Sequence, residues 1–183
     1  MEQVIIQTAR LRLRPWRHED RAPFQALNAD PRVMAFFPSI LLAAESDALA
    51  ERCQALIEQQ GWGFWAVECK ATQAFIGFLG LHAQPEAFPF SPCVEIGWRL
   101  AHDCWGQGYA SEGATAALRF GFDRLGLGEI VAFTAVGNLR SRAVMARIGM
   151  REDGAAGFGH PSLPPDHPLH RHCLYRISAT APA

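Results

Sequence analysis

The sequence predicts an α/β fold of the α+β kind: a central mixed, mostly antiparallel sheet of about seven strands with helices on both faces. Three observations carry this. Stretches of period-two alternation follow one another through short turns in the first half of the chain. From Val94 the order becomes strand, helix, strand, helix, strand. A glycine-rich turn, Trp105-Gly-Gln-Gly-Tyr-Ala110, stands where the pattern changes from period two to helical spacing. With 183 residues, of which 49% are hydrophobic, the chain can fill one core, so a single domain over 1–183 is expected.

In order, residues 8–16 alternate Leu11 and Leu13 with Arg10, Arg12 and Arg14 and predict a strand. Residues 18–28 read as a short helix around Phe24 and Leu27, and Asp30-Pro31 as the start of another helical piece through Val33, Met34 and Phe37. From Leu42 to Gln60, the stripe Leu49, Cys53, Leu56 and Ile57 predicts an amphipathic helix stopped by Gly61. Strands are expected at 63–70 and 75–82, a loop at 84–92, and a strand at 94–100, where Val94, Ile96, Trp98 and Leu100 alternate with Glu95, Gly97 and Arg99. Ala114, Ala117, Leu118, Gly121, Phe122 and Leu125 then recur at helical spacing. The apolar run 129–136 reads as a central strand. Asn138 caps a helix to Arg147 that ends at Gly149. A strand starts within 150–154, a loop covers 157–169, and a last strand runs over 170–178.

Composition excludes several classes. The formal net charge is −1 with no basic block, so no nucleic-acid partner is expected. No apolar run is long enough to cross a bilayer, and none precedes Arg10, Arg12 and Arg14, so neither a membrane partner nor a secretory signal is expected. The five cysteines (Cys53, Cys69, Cys93, Cys104, Cys173) form no Cys-x-x-Cys pair and read as reduced thiols of a cytoplasmic protein.

A glycine-rich turn opening a helix presents unpaired N–H groups at a positive dipole end, a site for phosphate. A Walker loop needs Gly-Lys-Ser/Thr, which is missing. A dinucleotide turn needs a third glycine where Ser111 stands in Gly106-x-Gly108-x-x-Ser111, and an acid ending the next strand, whereas Glu129 begins it. The remaining candidate is an acyl-CoA loop of the form [Arg/Gln]-x-x-Gly-x-[Gly/Ala].

The chain resembles the GNAT superfamily of N-acetyltransferases, and within it the RimJ/RimL-like branch. The resemblance rests on Thr8-x-Arg-Leu-x-Leu-Arg-Pro15, Asp30-Pro31, Ile76-Gly77 with Gly80-Leu81, Val94-Glu-Ile-Gly-Trp98, Trp105-Gly-Gln-Gly-Tyr-Ala110 with Glu112, Asn138-x-x-Ser141 and Gly149-Met150. It implies the GNAT fold, with the sheet splayed between the strands at 94–100 and 129–136. It implies acetyl-CoA as co-substrate and no metal. The N–H groups of Gly106, Gln107, Gly108, Tyr109, Ala110 and Ser111 would hold the CoA diphosphate. Trp98, Arg99 and Leu100 would wall the pantetheine arm through their backbone, and the Asn138 amide would bond it. Trp105 departs from the family's Arg/Gln. Met145 stands where many members carry a proton-donating Tyr, which leaves the Ser141 hydroxyl to support the departing thiolate.

An amine must lose a proton before it attacks. Glu95 is the candidate base, acting through water, and His82 is the second. Glu112 favours the dipole of its helix and has no catalytic role. His160, His167, His170, His172 and Asp166 match no zinc spacing, so no metal site is expected. That loop, Tyr175, Met34, Phe36 and Phe37 are expected to wall the acceptor pocket. The reading is an N-acetyltransferase acting on a small-molecule amine or a peptide N-terminus, as a monomer or homodimer. A non-catalytic acyl-CoA-binding module and a nicotinamide-dependent oxidoreductase are the competing readings.

Overall fold

Leu11 and Leu13 are fully buried, as their alternation with arginines predicts. The computed structural model describes residues 4–85 and 88–179; residues 86–87 of the expected loop at 84–92 lie outside them. The strand expected over 8–16 is a hairpin, β1 (Ile6–Gln7) antiparallel to β2 (Leu11–Arg14). Thr8 makes the turn: its N–H donates to Leu11 O at 3.0 Å, and its hydroxyl oxygen accepts from Leu11 N–H at 2.9 Å.

Helices α1 (Arg21–Ala29) and α2 (Ala43–Gln60) follow. The helical piece expected from Asp30 is a run of turns. Asp30 O accepts from Val33 and Met34 N–H at 3.1 and 3.0 Å, but the helix does not propagate. The Asp30 carboxylate competes for Arg32 N–H at 2.9 Å, and Pro38 disfavours a helical Phe37. In α2 the buried stripe keeps Cys53 and Ile57 of the expected one, with Ser46 and Ala50 in place of Leu49 and Leu56, which are half-buried.

Strands β3 (Phe64–Cys69), β4 (Phe75–Gln84) and β5 (Cys93–Leu100) form the antiparallel half of the sheet with β2. Helix α3 (Tyr109–Asp123), β6 (Glu129–Ala135), α4 (Leu139–Arg147), β7 (Arg151–Glu152), β8 (Phe158–Gly159) and β9 (Arg171–Ser178) complete the chain. The sheet has nine strands in the order β1-β2-β3-β4-β5-β6-β9-β7, with β8 on β9; β1 and β8, two residues each, are the additions to the expected set. Every pairing is antiparallel except β5 with β6, which run parallel and share one register pair, Glu95 with Val131. Beyond that pair they diverge, each still held by its outer neighbour, β4 or β9. This is the splay that the resemblance implies.

Helix α3 covers one face. It comes close because Gly113 and Gly121 have no side chain: a Cβ on Gly121 would meet Ile130 Cδ1 at 2.7 Å, and one on Gly113 would meet Leu79 Cδ1 at 3.0 Å. Helices α1 and α2 cover the other face, where Phe24 packs edge-on against Phe78 at 5.7 Å. At the edge of that layer lies a buried ion network. Arg14 donates to both oxygens of Asp20 at 2.7 and 2.8 Å and to Glu68 at 2.8 Å, and Arg12 donates to the other Glu68 oxygen at 2.7 Å. The sequence pattern places Arg14 on a polar face, but the first helical turn folds over it and leaves it 3% exposed. Breaking such a network strands a buried charge. Glu68→Ala is therefore expected to lower the unfolding free energy by about 3 kcal/mol or more in urea titrations; a loss below about 1 kcal/mol would mean that water reaches Arg14.

Candidate active site

The ladder decides which backbone groups of β5 are engaged. Ala101 N–H donates to Ile76 O at 2.9 Å, so in this register the odd-numbered residues of β5 exchange bonds with β4 and the even-numbered ones face β6. Past the Glu95–Val131 pair, the N–H and C=O of Trp98 and the N–H of Leu100 therefore open into the gap between β5 and β6. Leu100 O is taken by the Trp105 indole N–H at 2.9 Å, which fastens the next turn to the strand end. The Trp98 side chain lies on the α3 face, opposite Leu79, against the core.

The turn beyond β5 bends through Gly106 and Gly108, whose φ values of +74° and +80° are left-handed and favour glycine. Trp105 N–H is engaged by His102 O and Glu112 N–H by Gly108 O, both at 3.0 Å. Between them, among the described residues, no acceptor takes the N–H groups of Gly106, Gln107, Gly108, Tyr109, Ala110 and Ser111. They form the exposed start of α3, a 15-residue helix whose dipole favours an anion there.

Cations gather round this turn from distant parts of the chain. Arg10 donates to Gln107 O at 2.9 Å, lies over the Tyr109 ring at 4.6 Å and pairs with Glu112 at 2.6 Å. Glu112 also accepts from the Thr8 hydroxyl at 2.6 Å and Arg10 N–H at 2.8 Å. Burial opposes its charge, but these bonds outweigh the penalty and hold its carboxyl below the usual range. Glu112 is thus the pin between the β1–β2 turn and α3, more than a dipole partner. Arg140 stacks on the Trp105 ring at 4.7 Å, which brings a cation to the position where the family pattern has Arg or Gln. Arg147 donates to Ser111 Oγ at 3.3 Å. Sequence reading missed Arg10, Arg140 and Arg147 in this role, because only the fold brings them to the turn.

At the start of α4, the Asn138 amide is fully used as a donor. Nδ2 donates to Thr134 Oγ1 at 2.9 Å and to Ser141 Oγ at 3.1 Å, while Oδ1 accepts from Ser141 N–H at 3.2 Å. Of the amide that the resemblance gives to the pantetheine arm, no N–H is left over and Oδ1 keeps one lone pair, so a bond to that arm would be one that Oδ1 accepts. The bond from Nδ2 leaves the Ser141 proton free to point elsewhere, since its oxygen already accepts. Met145 is 2% exposed in the core and plays no polar part.

On the α1–α2 face of β5 lie Glu95 and Arg99. Glu95 accepts one bond, from Gln84 Nε2 at 3.1 Å. Burial with so little compensation raises its carboxyl from 4.5 to about 7, and the Gln84 bond offsets this only in part. His82 Nδ1 stands 3.7 Å from the Glu95 carboxylate, beyond hydrogen-bond distance, and has no partner among the described residues. Its ring stacks on Phe64 at 5.5 Å, and burial lowers its pKa. Phe37 covers Arg99 at 4.0 Å, and Phe36 approaches Gly137, so the segment between α1 and α2 reaches across the diverging strands. Met34 is 4% exposed and belongs to the core. Tyr175 is a correction: it registers with Ala132 on the α4 side, where its hydroxyl bonds Glu152 at 3.2 Å and Arg142 at 3.3 Å, away from Glu95. His160 and His172 pack together at 4.9 Å within an aromatic cluster of Phe88, Phe90, Phe133 and Phe158. Among the described residues, no group of three or more His, Cys, Asp or Glu side chains is placed to hold a metal.

Residues 10–151 match the family model for the acetyltransferase (GNAT) domain. The chain is 33% identical over 156 residues, 81% of its length, to the FsC-acetyl coenzyme A-N(2)-transacetylase of Aspergillus fumigatus, and the aligned part is 65% of that longer protein. Among solved structures it is similar to an acetyltransferase from Agrobacterium tumefaciens, with 27% identity, a TM-score of 0.78 and coverage of 98% of this chain and 96% of that one. It shares the fold of Mycobacterium smegmatis RimJ, solved with CoA-disulfide, at 22% identity and a TM-score of 0.72, covering 92% and 82% of the two chains. The chain belongs to the GNAT acetyltransferase family, whose acetyl donor is acetyl-CoA.

Proposed function

We propose that this chain, as one catalytic unit of the RimJ/RimL-like kind, transfers an acetyl group from acetyl-CoA directly to an amine of a small molecule or a peptide N-terminus. One observation carries the reading: the unengaged N–H groups of residues 106–111 adjoin the opened edge of β5, so a diphosphate and an extended arm have adjacent docks. The CoA-disulfide of RimJ and the acetyl-coenzyme A and N(2) in the fungal relative's name support that donor and a nitrogen acceptor. A net charge of −1 favours a small acceptor over a basic ribosomal protein.

When bound, acetyl-CoA supplies a thioester whose acetyl group passes to nitrogen as its C–S bond breaks. The amides of Gly106, Gln107, Gly108, Tyr109, Ala110 and Ser111 hold the diphosphate, with Arg10 and Arg140 adding positive charge. Trp98 and Leu100 line the arm, and their N–H groups polarise the acetyl oxygen; Arg99, expected beside them, has its backbone bonded to β4 and takes no part in that wall. Glu95, through water, takes a proton from the acceptor's ammonium, so that the neutral amine attacks, and the proton the nitrogen sheds on attack ends on the departing CoA sulfur. A carboxylate raised to about 7 is a far stronger base than one in solvent and is still half ionised at neutral pH. Burial weakens His82 as a base, so the proton goes to Glu95. Ser141, whose oxygen is already bonded by Asn138, donates its proton in a hydrogen bond to the leaving sulfur.

The activity test is CoA release over amino acids, polyamines, peptides and aminoglycosides; acetyl-CoA binding without release above background from any of them would reduce the chain to a binding module. Turnover is expected to rise with pH through a single limb centred near 7 as Glu95 ionises. Glu95→Gln is expected to abolish that limb and cut kcat by about a hundredfold or more; a retained limb would move the base elsewhere. The same carboxyl should govern stability. Between pH 4.5 and about 7 the unfolded chain loses this proton while the folded one keeps it, so stability falls as pH rises. Glu95→Gln should therefore match the wild type near the acid end of that window and exceed it by about 3 kcal/mol above it, read by denaturant titration. Ser141→Ala should lower kcat by about tenfold or more with acetyl-CoA affinity kept within about twofold; unchanged turnover removes the residue from the mechanism.

A further inference from the structure

The Arg99 side chain stands apart from the ion pairs of this protein. Its guanidinium lies between Phe37 at 4.0 Å and Phe78 at 5.2 Å, and it makes one hydrogen bond, from Nη1 to Asn28 Oδ1 at 2.7 Å. Nε is shut away from water and has no partner among the described residues. Among the described residues no carboxylate lies within ion-pair distance. Burial lowers its pKa to about 10. Its neighbours from the packed elements are neutral. Asn28 of α1 is fully buried and itself bonded to Ser46 of α2 at 2.9 Å, Cys53 of α2 is 3% exposed with its thiol pushed up to about 11, and the β4 floor is Phe78.

A guanidinium offers five N–H donors in a planar fork matched to a carboxylate. Enclosing one without a counter-ion is costly, and Arg14 shows how the same chain treats a structural arginine, with both Asp20 and Glu68 upon it. Arg99 is positioned by the Ser46–Asn28 relay and two aromatic faces, yet its charge is left open. It shares the sheet face of Glu95, four residues further along β5 and next to the edge where Trp98 opens into the gap.

From this placement we propose that Arg99 is a specificity residue: it receives a carboxylate carried by the amine acceptor itself, so the acceptors are amino acids or acidic peptides and not plain amines. The charge missing from the protein arrives with the substrate, on the face where the proton is removed. The inference rests on the proposed acetyl transfer.

The test uses paired acceptors that differ in one charge: glycine, 4-aminobutyrate, 6-aminohexanoate and glycylglycine against their carboxamides, with CoA release as the readout and acetyl-CoA affinity measured by calorimetry alongside. For at least one pair the wild type should prefer the acid in kcat/KM by about tenfold to a hundredfold, the worth of a charge-assisted bond. In Arg99→Met that ratio should fall to within about twofold, mainly through KM, and Arg99→Lys should recover part of it. The wild-type ratio decides even if Arg99→Met does not fold. Equal use of acids and amides, preference for the amides, or turnover of neither series overturns the carboxylate assignment. So does an Arg99→Met enzyme that slows both members of a pair alike. Release of CoA with other amines in those cases leaves the acetyl-transfer reading intact, whereas failure to bind acetyl-CoA removes both.

Discussion

The divergence of β5 from β6 after the Glu95–Val131 pair is the constraint on which the rest depends. Two parallel strands that stayed paired would engage each other's backbone groups along their whole length. Here β4 and β9 hold the outer edges, and the inner edges separate. Trp98 and Leu100 thereby keep polar groups that nothing among the described residues satisfies, at the place where the chain next turns through Gly106 and Gly108 into α3. Buried or half-buried backbone groups seldom go unpaired. The open groups of Trp98 and Leu100, followed after the engaged stretch 101–105 by the N–H groups of residues 106–111, give the molecule a polar strand edge and an anion-accepting turn, matched to the shape of the family's donor.

Charge is distributed in two opposite ways over the α1–α2 side of the sheet. At the rim, Arg14, Asp20 and Glu68 are buried together and neutralise one another, which ties the first helical turn to β2 and β3. Nearer the gap, Glu95 and Arg99 are enclosed without counter-ions: one is held by Gln84, the other by Asn28. The second arrangement costs stability and leaves groups ready to exchange a proton or take an ion. Phe37 and Phe78 flank the Arg99 guanidinium, and Phe64 stacks on His82 beside Glu95.

What was legible in the sequence is what short-range chemistry dictates. The glycine turn and its helix follow from left-handed φ values that bulky residues avoid, and the facing of Glu95 follows from the period of a strand. The Asn138 cap was equally readable, although its N–H groups prove to be taken by Thr134 and Ser141. What was hidden depends on register and on distance along the chain. Tyr175 reads as a pocket residue until pairing with Ala132 puts it on the opposite face. Arg10 lies 102 residues from Glu112 along the chain, and only the closing of β1–β2 onto α3 joins them. Arg140 compensates for Trp105 by stacking, a relation that no spacing rule encodes.

Amide hydrogen exchange, residue by residue, with and without saturating CoA, tests the central claim most directly. In the free protein the N–H groups of Trp98, Leu100 and residues 106–111 should exchange quickly for their positions, and CoA should slow them by about tenfold or more while leaving the β2–β3–β4 ladder unchanged. Strong protection of these amides before any ligand is added, or protection by CoA confined to another part of the sheet, would contradict the account.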